Sequence, residues 1–315
     1  MRPSHAAPPP RVSVVIPTRN RAALLRRALE SVFAQGFVDH EVLVVDDAST
    51  DDTAALLAGW PDPRLRVLRQ PAAGGGPRAR NRGIEASRGE FVAFLDDDDE
   101  WLPRKLALQV ARFDAPGPPL VLVHCGTDLV SARSGRLVHR FDVADRPMTC
   151  TDFLRELPFT TSNAMVRRSS LQAIGGFDET LAGAQDRDLW IRLARIGAVG
   201  AVPEVLLRRY LHGEQISSSL SAKLRAKEQF LAKYREDLRR HPREHALHLW
   251  RLGVLYCVAG RVREARRALL LAVCTDPGRL DALRDLGATL RWPRDCVRRI
   301  AERRVSRVDG IPNYY

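Results

Sequence analysis

The stretch Phe91-Val-Ala-Phe-Leu-Asp-Asp-Asp-Asp-Glu-Trp101 carries the strongest structural signal in this chain. Five apolar residues lead directly into four consecutive aspartates. A short apolar run of this kind is typical of a buried strand, so the carboxylates are expected at the end of that strand. Four like charges in sequence repel one another, and their oxygens are the ligands that hard divalent cations prefer. The stretch therefore predicts a buried strand with a cation site at its end.

Three similar apolar runs precede this stretch, and each is followed by a segment with helical character. We predict strands at Val12–Ile16, Glu41–Val45, Leu65–Leu68 and Phe91–Leu95, separated by helices at about Arg21–Gln35, Ser49–Ala58 and Ala79–Ser87. Strands that alternate with helices at this spacing form a parallel sheet with right-handed crossover connections. The sequence therefore predicts an α/β fold, with a mostly parallel twisted sheet flanked by helices.

Polar residues follow three of these strands at their carboxyl ends. They are the clusters Thr18-Arg19-Asn20, Asp46-Asp47 and Asp96–Asp99. In parallel sheets, ligands bind beyond the carboxyl ends of the strands, so we expect the three clusters to converge on one crevice. Thr18 or Asn20 is also expected to cap the first helix, and Ser49 with Asp52 resembles a capping box that opens the second.

The segment after Trp101 has a less regular pattern. We predict a helix at about Pro103–Phe113, strands at Leu120–Cys125, Leu137–Phe141 and Asn163–Val166, an amphipathic helix at Asp186–Ile196, and an edge strand at Val205–Leu211. Strand signals end at about residue 220, and charged helical sequence follows. Three parts are therefore expected: a disordered leader at 1–10, the α/β domain at 11–220, and a C-terminal α-helical extension at 221–315.

Part of the extension resembles a tetratricopeptide-type helical hairpin, at residues 246–279. The residues at that family's spacings are Leu252, Gly253, Tyr256, Gly260, Ala265, Leu269, Ala272 and Pro277. One such hairpin cannot bury both of its faces alone. It is therefore expected to dock on the first domain, to self-associate with another copy, or to hold a protein partner.

Charge and composition indicate the compartment and the partners. The formal net charge is +12, from 50 basic and 38 acidic residues. We interpret most of this charge as an Arg-rich composition rather than as a nucleic-acid site. The C-terminal segment is the exception, because its clustered arginines could contact anionic lipid headgroups. These are Arg291, Arg294, Arg298, Arg299, Arg303, Arg304 and Arg307.

No signal for export or for membrane insertion is present in the sequence. It contains no run of about 18 apolar residues, and Met1–Pro10 lacks the apolar centre of a signal peptide. The five cysteines are scattered and form no CxxC pair, which favours a reducing compartment. We expect a cytoplasmic protein, with peripheral contact at the inner face of the membrane through the basic tail.

Asp96, Asp98 and Asp99 offer hard oxygen ligands that suit Mg²⁺ or Mn²⁺ rather than zinc. A cation held in this way can neutralise a departing diphosphate. The structural alternative is a solvated acidic turn that caps the next helix, a role that suits Asp99 and Glu100. The position at a strand end favours metal binding for the cluster as a whole.

Other polar residues allow either a functional or a structural interpretation. Asp46 and Asp47 could accept hydrogen bonds from a base or a ribose, or they could cap a helix. Arg80 could stack on a base or offset phosphate charge, or it could be an ordinary surface arginine. The segment Gly74-Gly-Gly76 lacks the Lys-Ser/Thr of a P-loop, so we interpret it as a flexible turn.

Two acidic residues, Asp186 and Asp188, stand at the predicted start of a helix. Helix capping is the structural interpretation of Asp186, and proton abstraction from a substrate hydroxyl is the functional one. Periodicity alone does not choose between them. His212 follows a predicted strand and, taken alone, is more typical of a polar surface residue than of a metal ligand.

With these residues in hand, the chain resembles the inverting glycosyltransferases of family 2, which have the GT-A fold. The resemblance covers about residues 11–220 and is carried by five motifs in the family's order. They are Val14-Val-Ile-Pro-Thr-Arg-Asn20, Val44-Val-Asp-Asp-Ala-Ser-Thr-Asp-Asp-Thr53, Ala79-Arg-Asn-Arg-Gly83, Phe94-Leu-Asp-Asp-Asp-Asp-Glu-Trp101, and Gly175-Gly-Phe-Asp-Glu179 with Gln185-Asp-Arg-Asp-Leu-Trp190. Each motif is moderately specific, and together they are very specific.

The resemblance implies a role for each matching residue. Pro17, Thr18 and Asn20 would line the nucleotide pocket, and Asp46 or Asp47 would contact the base. Arg80 would lie near the base or the diphosphate. Asp96 and Asp98 would form the metal-binding DxD element, with Asp97 as its middle position at the donor. Asp186 matches the family's catalytic base, and His212 matches a position that contacts metal or diphosphate in some members.

The resemblance also implies the reaction. A hydroxyl group of the acceptor, deprotonated by Asp186, would attack the anomeric carbon of a nucleotide-sugar while the nucleoside diphosphate leaves with Mg²⁺ or Mn²⁺. A UDP-sugar is the expected donor, with dTDP- and GDP-sugars as alternatives. The acceptor would be a saccharide or a lipid-linked saccharide, in the synthesis of a surface polysaccharide or glycolipid.

One departure from the family pattern bears on activity. The family usually has Glu-Asp where this chain has Gln185-Asp186, which removes one charge near the acceptor. A helix N-terminus is also expected to lower the pKa of Asp186 and so to make it a weak base. One alternative is therefore a catalytically weak module that acts as a protein-interaction platform through its helical tail. Another, a nucleotidyltransferase, would require a Gly-rich and lysine signature near the N-terminus that this chain lacks.

Overall fold

The computed structural model describes residues 8–211 and 220–291. His212, most of the predicted leader and the arginines beyond Arg291 lie outside the described residues. The chain divides into two compact units. The first comprises 1–150, 157–179 and 186–212, and the second comprises 151–156, 180–185 and 213–315. Residues 151–156 and 180–185, which the sequence assigns to the α/β domain, therefore belong to the second unit.

Within the described residues, nine strands form one mixed sheet in the first unit. Their bounds are β1 Val12–Thr18, β2 His40–Asp46, β3 Leu65–Arg69, β4 Phe91–Phe94, β5 Glu100–Trp101, β6 Leu120–Ser131, β7 Leu137–Phe141, β8 Met165–Arg167 and β9 Ala198–Leu211. The strand order is β3-β2-β1-β4-β8-β6-β9-β5, and β7 pairs with β6. The four strands from β3 to β4 are parallel, which confirms the predicted parallel half.

Helices connect the strands of this unit. They are α1 Ala22–Phe33, α2 Thr53–Ala58, α3 Gly76–Ala86, α4 Lys105–Asp114, α6 Arg168–Ile174 and α7 Gln185–Ala194, with a 3₁₀ turn at Thr161–Asn163, whereas α5 Cys150–Arg155 lies almost entirely in the second unit. The helix α1 buries Leu25, Ala28, Leu29 and Val32, the spacing expected for one apolar face. These side chains join a core that includes the apolar residues of β1, β2 and β4.

The second half of the sheet differs from the prediction in strand length and position. The predicted strand at Leu120–Cys125 continues to Ser131. The predicted edge strand at Val205–Leu211 is part of a 14-residue strand that runs parallel to β6 and pairs with β5 on its other side. Its first half was missed because Pro203 and Glu204 interrupt the apolar pattern. The structure accommodates them where the pairing register shifts, between the Cys125–Val202 and Gly126–Val205 pairs.

The helix α3 lies close against the sheet because Gly83 faces β1. A Cβ atom added at Gly83 would come within 2.3 Å of Val15 Cγ1. Only a residue without a side chain permits this approach of helix to strand. The contact sets the distance between β1 and the helix that carries Arg80.

The second unit contains five further helices within the described residues. They are α8 Leu220–Lys233, α9 Arg235–Arg240, α10 Pro242–Val258, α11 Val262–Thr275 and α12 Leu280–Arg291. The helices α10 and α11 form the predicted hairpin, with Gly260 at φ +72° in the turn. A Cβ atom at Gly253 would lie 2.7 Å from Leu269 Cγ, so the helices are in close contact there. The kinship of this hairpin to tetratricopeptide repeats stays a prediction.

Two observations concern the environment of the protein. Across residues 8–211 and 220–291, no helix combines the length and the apolar character needed to cross a membrane. Four of the five cysteines lie in the same ranges, and all four are free thiols: Cys125, Cys150, Cys257 and Cys274.

Candidate active site

The acidic turn follows β4 directly, as the sequence predicts, and is held by residues that the sequence reasoning missed. The backbone N–H of Asp96 donates to Ser162 Oγ at 3.0 Å, and Thr161 Oγ1 donates to the Asp96 carboxylate at 3.3 Å. Trp101 Nε1 donates to the carbonyl oxygen of Ser162 at 2.9 Å. The 3₁₀ turn at Thr161–Asn163 therefore holds the acidic turn from a position more than 60 residues away in sequence.

Arg80 extends from α3 to the first carboxylate of this turn. Its Nη2 donates to Asp96 Oδ1 at 2.5 Å, and its guanidinium lies 5.6 Å from the centre of the Phe177 ring. Burial raises the pKa of Asp96, but the charges of Arg80 and Arg209 outweigh that effect and hold the pKa below its ordinary value. The Asp96 carboxylate is therefore ionised at neutral pH, and Arg80 is not an ordinary surface arginine.

Asp97 joins the carboxyl ends of two strands. Thr18 Oγ1 donates to Asp97 Oδ2 at 2.7 Å, and Arg21 Nη1 donates to Asp97 Oδ1 at 3.1 Å. Burial raises the pKa of Asp97 to about 6, against the opposing effects of Thr18 and Arg21. Both carboxylate oxygens thus bond to residues at the end of β1 and the start of α1. The predicted donor contacts of Thr18 and Asp97 stay predictions.

Asp98 is the second residue of the predicted metal-binding pair. Arg21 Nη1 donates to Asp98 Oδ2 at 3.1 Å, and Arg27 Nη2 donates to the Asp98 carbonyl oxygen at 2.7 Å. Within the described part of the chain, no three His, Cys, Asp or Glu side chains gather into a complete cation cage. Two carboxylates, Asp96 and Asp98, nevertheless fit a cation that takes its other ligands from phosphate and water, as Mg²⁺ usually does. The third predicted ligand, His212, lies outside the described residues.

The expected capping role of Asp99 and Glu100 is wrong. Asp99 is buried, with its Oδ2 3.7 Å from Arg209 Nε, and burial raises its pKa to about 8. Glu100 lies in β5, where it accepts hydrogen bonds from Tyr210 and Arg208. The helix α4 begins only at Lys105 and has no side-chain cap. The two-residue strand β5 contains Glu100, and Asp99 directly precedes it.

Asp47 binds the glycine-rich turn rather than standing free at the end of β2. Its Oδ1 accepts hydrogen bonds from Gln70 Nε2 at 2.8 Å and from the Gly74 N–H at 2.7 Å. Its Oδ2 accepts from the Gly75 N–H at 2.8 Å. The interpretation of this segment as a flexible turn is therefore wrong, because a buried carboxylate holds two consecutive amides. Gly75 has φ +84°, which a residue with a side chain rarely adopts.

Asp46 and Asn20 connect the loops after β1 and β2. Asp46 Oδ1 accepts from the Ser49 N–H at 2.8 Å, and its Oδ2 lies 3.7 Å from Arg69 Nε. Asn20 has φ +54°, and its Oδ1 accepts from the Thr50 N–H at 2.7 Å. The predicted contacts of Asp46 and Asn20 with a nucleotide stay predictions. The same holds for the predicted nucleotide contact of Pro17, which lies in β1.

The predicted caps of the first two helices are wrong, and Asp51 serves both helices instead. Asp51 Oδ2 accepts from the Ala22 N–H at 3.2 Å, at the start of α1. Asp51 Oδ1 accepts from the Thr53 N–H at 3.1 Å, at the start of α2. Thr18 and Asn20 bond elsewhere, so neither caps α1.

The two acidic residues in the first turn of α7 have different surroundings. Asp188 is fully buried and pairs with Arg192, whose Nη2 lies 2.7 Å from Asp188 Oδ2. Asp186 is only partly buried, and its Oδ1 accepts from the N–H of Arg187 at 2.8 Å. Asp188 is therefore committed to the fold, which leaves Asp186 as the candidate base.

The predicted lowering of the Asp186 pKa is wrong in direction. Burial raises the pKa of Asp186, and the nearby Asp96 charge adds to that effect. The N–H of Arg187 and the charges of Arg187 and Arg80 act in the opposite direction but do not outweigh burial. A carboxylate with a raised pKa is a stronger base, so the environment favours the proton-accepting role rather than opposing it.

The structure thus brings a defined subset of the predicted residues together. At the carboxyl edge of β1 and β4, Thr18 bonds to Asp97, Asp97 and Asp98 share Arg21, and Arg80 pairs with Asp96. Asp186 lies within electrostatic reach of Arg80 and Asp96. Arg21, Thr161, Ser162 and Arg209 complete the cluster and were missed. Of these, Arg21 directly follows the polar cluster after β1, which could have identified it.

Comparison with known proteins assigns this arrangement to a family. Residues 13–175, more than half of the chain, match the family described as "Glycosyl transferase family 2". The O-antigen biosynthesis protein RfbC of Myxococcus xanthus is 36% identical over 202 residues, which cover 62% of this chain and 16% of that protein. This chain therefore spans only a small part of the length of that relative.

Two solved structures share the fold. Residues 1–349 of TarS from S. aureus, in complex with UDP-GlcNAc, give a TM-score of 0.62 at 20% identity, covering 89% of this chain and 91% of that one. The mannosyltransferase PcManGT from Pyrobaculum calidifontis, in complex with GDP-Man and Mn²⁺, gives 0.57 at 22% identity, covering 98% and 89%. The sheet with its flanking and C-terminal helices is a GT-A fold. Because the family match includes the parallel strands and the acidic turn after β4, the chain belongs to glycosyltransferase family 2.

Proposed function

We propose that this protein transfers a sugar from a UDP-sugar to a hydroxyl group of a saccharide or lipid-linked acceptor, with inversion at the anomeric carbon. The observation that carries the proposal is the grouping of Asp186, Arg80 and the Asp96–Asp98 turn at one edge of the sheet. Such a grouping offers the donor two metal ligands and a positive charge for its phosphate. It offers the acceptor hydroxyl a base.

The donor class is supported by the contents of the two related structures. One is a complex with UDP-GlcNAc and the other a complex with GDP-Man and Mn²⁺. We place the diphosphate beside Arg80, whose buried Nε has no hydrogen-bond partner in the described structure. An arginine with an unsatisfied N–H next to the acidic turn is suited to bind a phosphate oxygen.

Asp96 and Asp98 would hold Mg²⁺ or Mn²⁺, which, when bound, stabilises the negative charge of the departing diphosphate. The chain itself positions these carboxylates. Ser162 and Thr161 orient Asp96, while Arg21 and Arg27 orient the side chain and the carbonyl of Asp98. The ligands are therefore held by neighbouring side chains before a donor arrives.

Asp186 acts as the general base in this proposal. Its raised pKa favours acceptance of a proton from the acceptor hydroxyl, which leaves the oxygen free to attack the anomeric carbon. The bond from that carbon to the diphosphate oxygen breaks as the new glycosidic bond forms. Because attack and departure occur on opposite sides of the carbon, the configuration inverts.

The acceptor class is supported by one relative, the O-antigen biosynthesis protein RfbC of Myxococcus xanthus. We propose a role in surface polysaccharide or glycolipid synthesis at the cytoplasmic side of the membrane. The arginines beyond Arg291 would add attraction to anionic lipid, which would suit a lipid-linked acceptor.

The test is release of nucleoside diphosphate from a panel of UDP-, dTDP- and GDP-sugars with candidate acceptors, in Mn²⁺, Mg²⁺ or a chelator. We expect turnover that needs a divalent cation and that falls by about 10²- to 10³-fold in Asp98→Ala, as when one charge-stabilising group is removed. Asp52→Ala is the matched control, because Asp52 is exposed and makes no cap bond. Metal-independent turnover would refute the metal assignment, and no transfer with any pair would favour the interaction-platform alternative.

A further inference from the structure

Arg21 places one nitrogen atom between two carboxylates of the acidic turn. Its Nη1 lies 3.1 Å from Asp97 Oδ1 and 3.1 Å from Asp98 Oδ2. The side chains of Arg21, Asp97 and Asp98 are only 20%, 7% and 19% exposed. Water therefore screens these charges poorly, and the attraction is stronger than in an ordinary surface ion pair.

The other carboxylates of the turn are also paired with arginine. Arg80 pairs with Asp96, and Arg209 lies 3.7 Å from Asp99. Arg21 contacts Asp97 and Asp98 at once, and Asp97 is anchored on its other oxygen by Thr18. The guanidinium is thus held beside Asp98 by a residue that is not itself a proposed metal ligand.

We propose that Arg21 is a resident counter-cation of Asp98, which Mg²⁺ or Mn²⁺ must displace in order to bind. The inference rests on the proposed function in so far as Asp98 is the metal ligand. It adds a consequence that two carboxylates alone do not have: removal of the Arg21 charge strengthens the binding of a bare divalent cation and reduces the gain in affinity that a nucleoside diphosphate gives.

The electrostatic reason is a balance of charge. A divalent cation that joins Asp96 and Asp98 brings two further positive charges next to Arg21, Arg80 and Arg209, and these repel it. A bound diphosphate adds negative charge to the same place, and it can accept hydrogen bonds from a displaced guanidinium. Metal and nucleotide each increase the affinity for the other, and by thermodynamic linkage the two increases are equal.

The experiment measures Mn²⁺ binding to the full chain, by the loss of the free Mn²⁺ electron paramagnetic resonance signal, with and without UDP. The test variant is Arg21→Gln, which keeps an N–H donor for Asp97 but removes the charge. Arg21→Met is the second variant, and Arg21→Lys keeps the positive charge. Arg26→Gln is the matched control, because Arg26 is exposed on the same helix and has no ion-pair partner among the described residues.

We expect Arg21→Gln to bind Mn²⁺ without UDP about tenfold more tightly than wild type, since an opposite charge this close commonly shifts a carboxylate equilibrium by a factor of ten or more. UDP should then increase Mn²⁺ affinity by a smaller factor than in wild type. Arg21→Met should follow Arg21→Gln, whereas Arg21→Lys and Arg26→Gln should stay close to wild type. Thermal melts of each variant confirm that the measured protein is folded.

The two ways of failing are distinguishable. Suppose that wild type binds Mn²⁺ in the presence of UDP, but that Arg21→Gln and Arg21→Met have the same Mn²⁺ affinity as Arg26→Gln in the absence of UDP. The role of Arg21 is then refuted, while the metal site stands. Weaker Mn²⁺ binding in the Arg21 variants also refutes it, because Arg21 would then be orienting Asp98 for the metal. If no protein binds Mn²⁺ even with UDP, the metal assignment itself fails and the inference fails with it.

Discussion

Asp186 stands in the first turn of α7, where backbone N–H groups ordinarily favour an ionised carboxyl group. Here the surrounding atoms remove enough water to raise its pKa instead, and the charge of Asp96 acts in the same direction. The neighbour Asp188, two residues further on, is paired with Arg192. Two acidic residues on one helical turn thus have different chemistry, decided by what lies next to each.

Replacement of Asp186 by Asn tests the base assignment. We expect kcat to fall by about 10²- to 10⁴-fold, the usual contribution of a positioned base, with donor affinity little changed. In wild type, the raised pKa predicts that activity is lost on acidification at a higher pH than an ordinary aspartate would give, because the protonated carboxyl accepts no proton. The measurement is a pH profile of kcat/KM.

Glu85→Gln is the control for Asp186→Asn, since Glu85 is an exposed residue of α3. Full transfer activity in Asp186→Asn would show that another group takes the proton. If kcat/KM falls on acidification only at the pH expected for an unperturbed aspartate, the role assigned to burial is contradicted.

His124 predicts a pH dependence of stability. The ring is buried in β6, stacks 4.0 Å from the Phe159 ring, and has no partner for Nδ1 in the described structure. Burial lowers its pKa from 6.5 to about 3. The unfolded chain therefore binds this proton more readily, so stability is lost as pH falls from about 6.5 towards 3.

At pH 4.5 the loss from His124 should be about 2–3 kcal/mol, at about 1.4 kcal/mol per pH unit. Chemical unfolding at pH 7 and 4.5 measures it. His124→Phe keeps an aromatic ring and should reduce the loss, whereas His139→Gln, at an exposed position of β7, should not. An unchanged pH dependence in His124→Phe would mean that other groups account for acid unfolding.

At the scale of elements, the site depends on how α3 and the turn before it are attached to the sheet. Gly83 allows α3 to approach β1, and Asp47 at the end of β2 binds the amides of Gly74 and Gly75. These contacts join the helix that carries Arg80 to β2 and to β1, the strand that pairs with β4 and so lies next to the acidic turn. The position of Arg80 therefore depends on how α3 packs on the sheet as well as on the side chain itself.

Asp47→Ala should release the glycine turn. Three hydrogen bonds to a buried carboxylate are lost, so we expect a decrease of about 2–4 kcal/mol in the free energy of unfolding, since bonds to charged groups contribute the most. Amide hydrogen exchange at Gly74 and Gly75 should become faster. If Asp47 contacts the base of the donor, as predicted, UDP affinity should fall about tenfold, which corresponds to about 1.4 kcal/mol.

The control for this change is Asp52→Ala, because Asp52 is exposed at the start of α2 and makes no cap bond. Unchanged exchange at Gly74 and Gly75 in Asp47→Ala would contradict the anchoring role. Faster exchange with unchanged UDP affinity would show that the glycine turn does not contribute to UDP binding.

At the scale of the whole molecule, the net charge of +12 is unevenly placed along the sequence. In the α/β unit, arginines are matched to buried acids, as where Arg66 and Arg88 pair with Glu41. The segment beyond Arg291 has six arginines against three acids, Asp295, Glu302 and Asp309. This segment therefore has a net charge of +3 over 24 residues, which favours contact with an anionic surface.

Deletion of residues 292–315 should weaken binding to phosphatidylglycerol vesicles in a sedimentation assay. Each basic residue near such a surface contributes about 1 kcal/mol, so the loss should be large at low salt and small at high salt. Phosphatidylcholine vesicles serve as the control, and binding to them should not change. Equal binding of the full chain and the deletion to the anionic vesicles would refute the membrane role of the tail.

Several features of the fold followed from local patterns. The four strands β1 to β4 and the helices between them were predicted because a buried parallel strand is a continuous apolar run and an amphipathic helix repeats every 3.6 residues. The short strand β5 and the first half of β9 were missed. Both depend on pairing with residues far away in sequence, as Glu100 of β5 pairs with Arg208 and Ala198 of β9 pairs with Leu120, and no local pattern records such pairing.

The sequence by itself determined the α/β class, the placement of carboxylates at strand ends and the membership of glycosyltransferase family 2, because these depend on residue order and periodicity. Tertiary structure decided the rest. It raised the pKa of Asp186, engaged Asp47 with the glycine turn, and set Arg21 beside Asp98. Burial and ion pairing depend on which distant groups fold against a side chain, and local sequence does not contain that information.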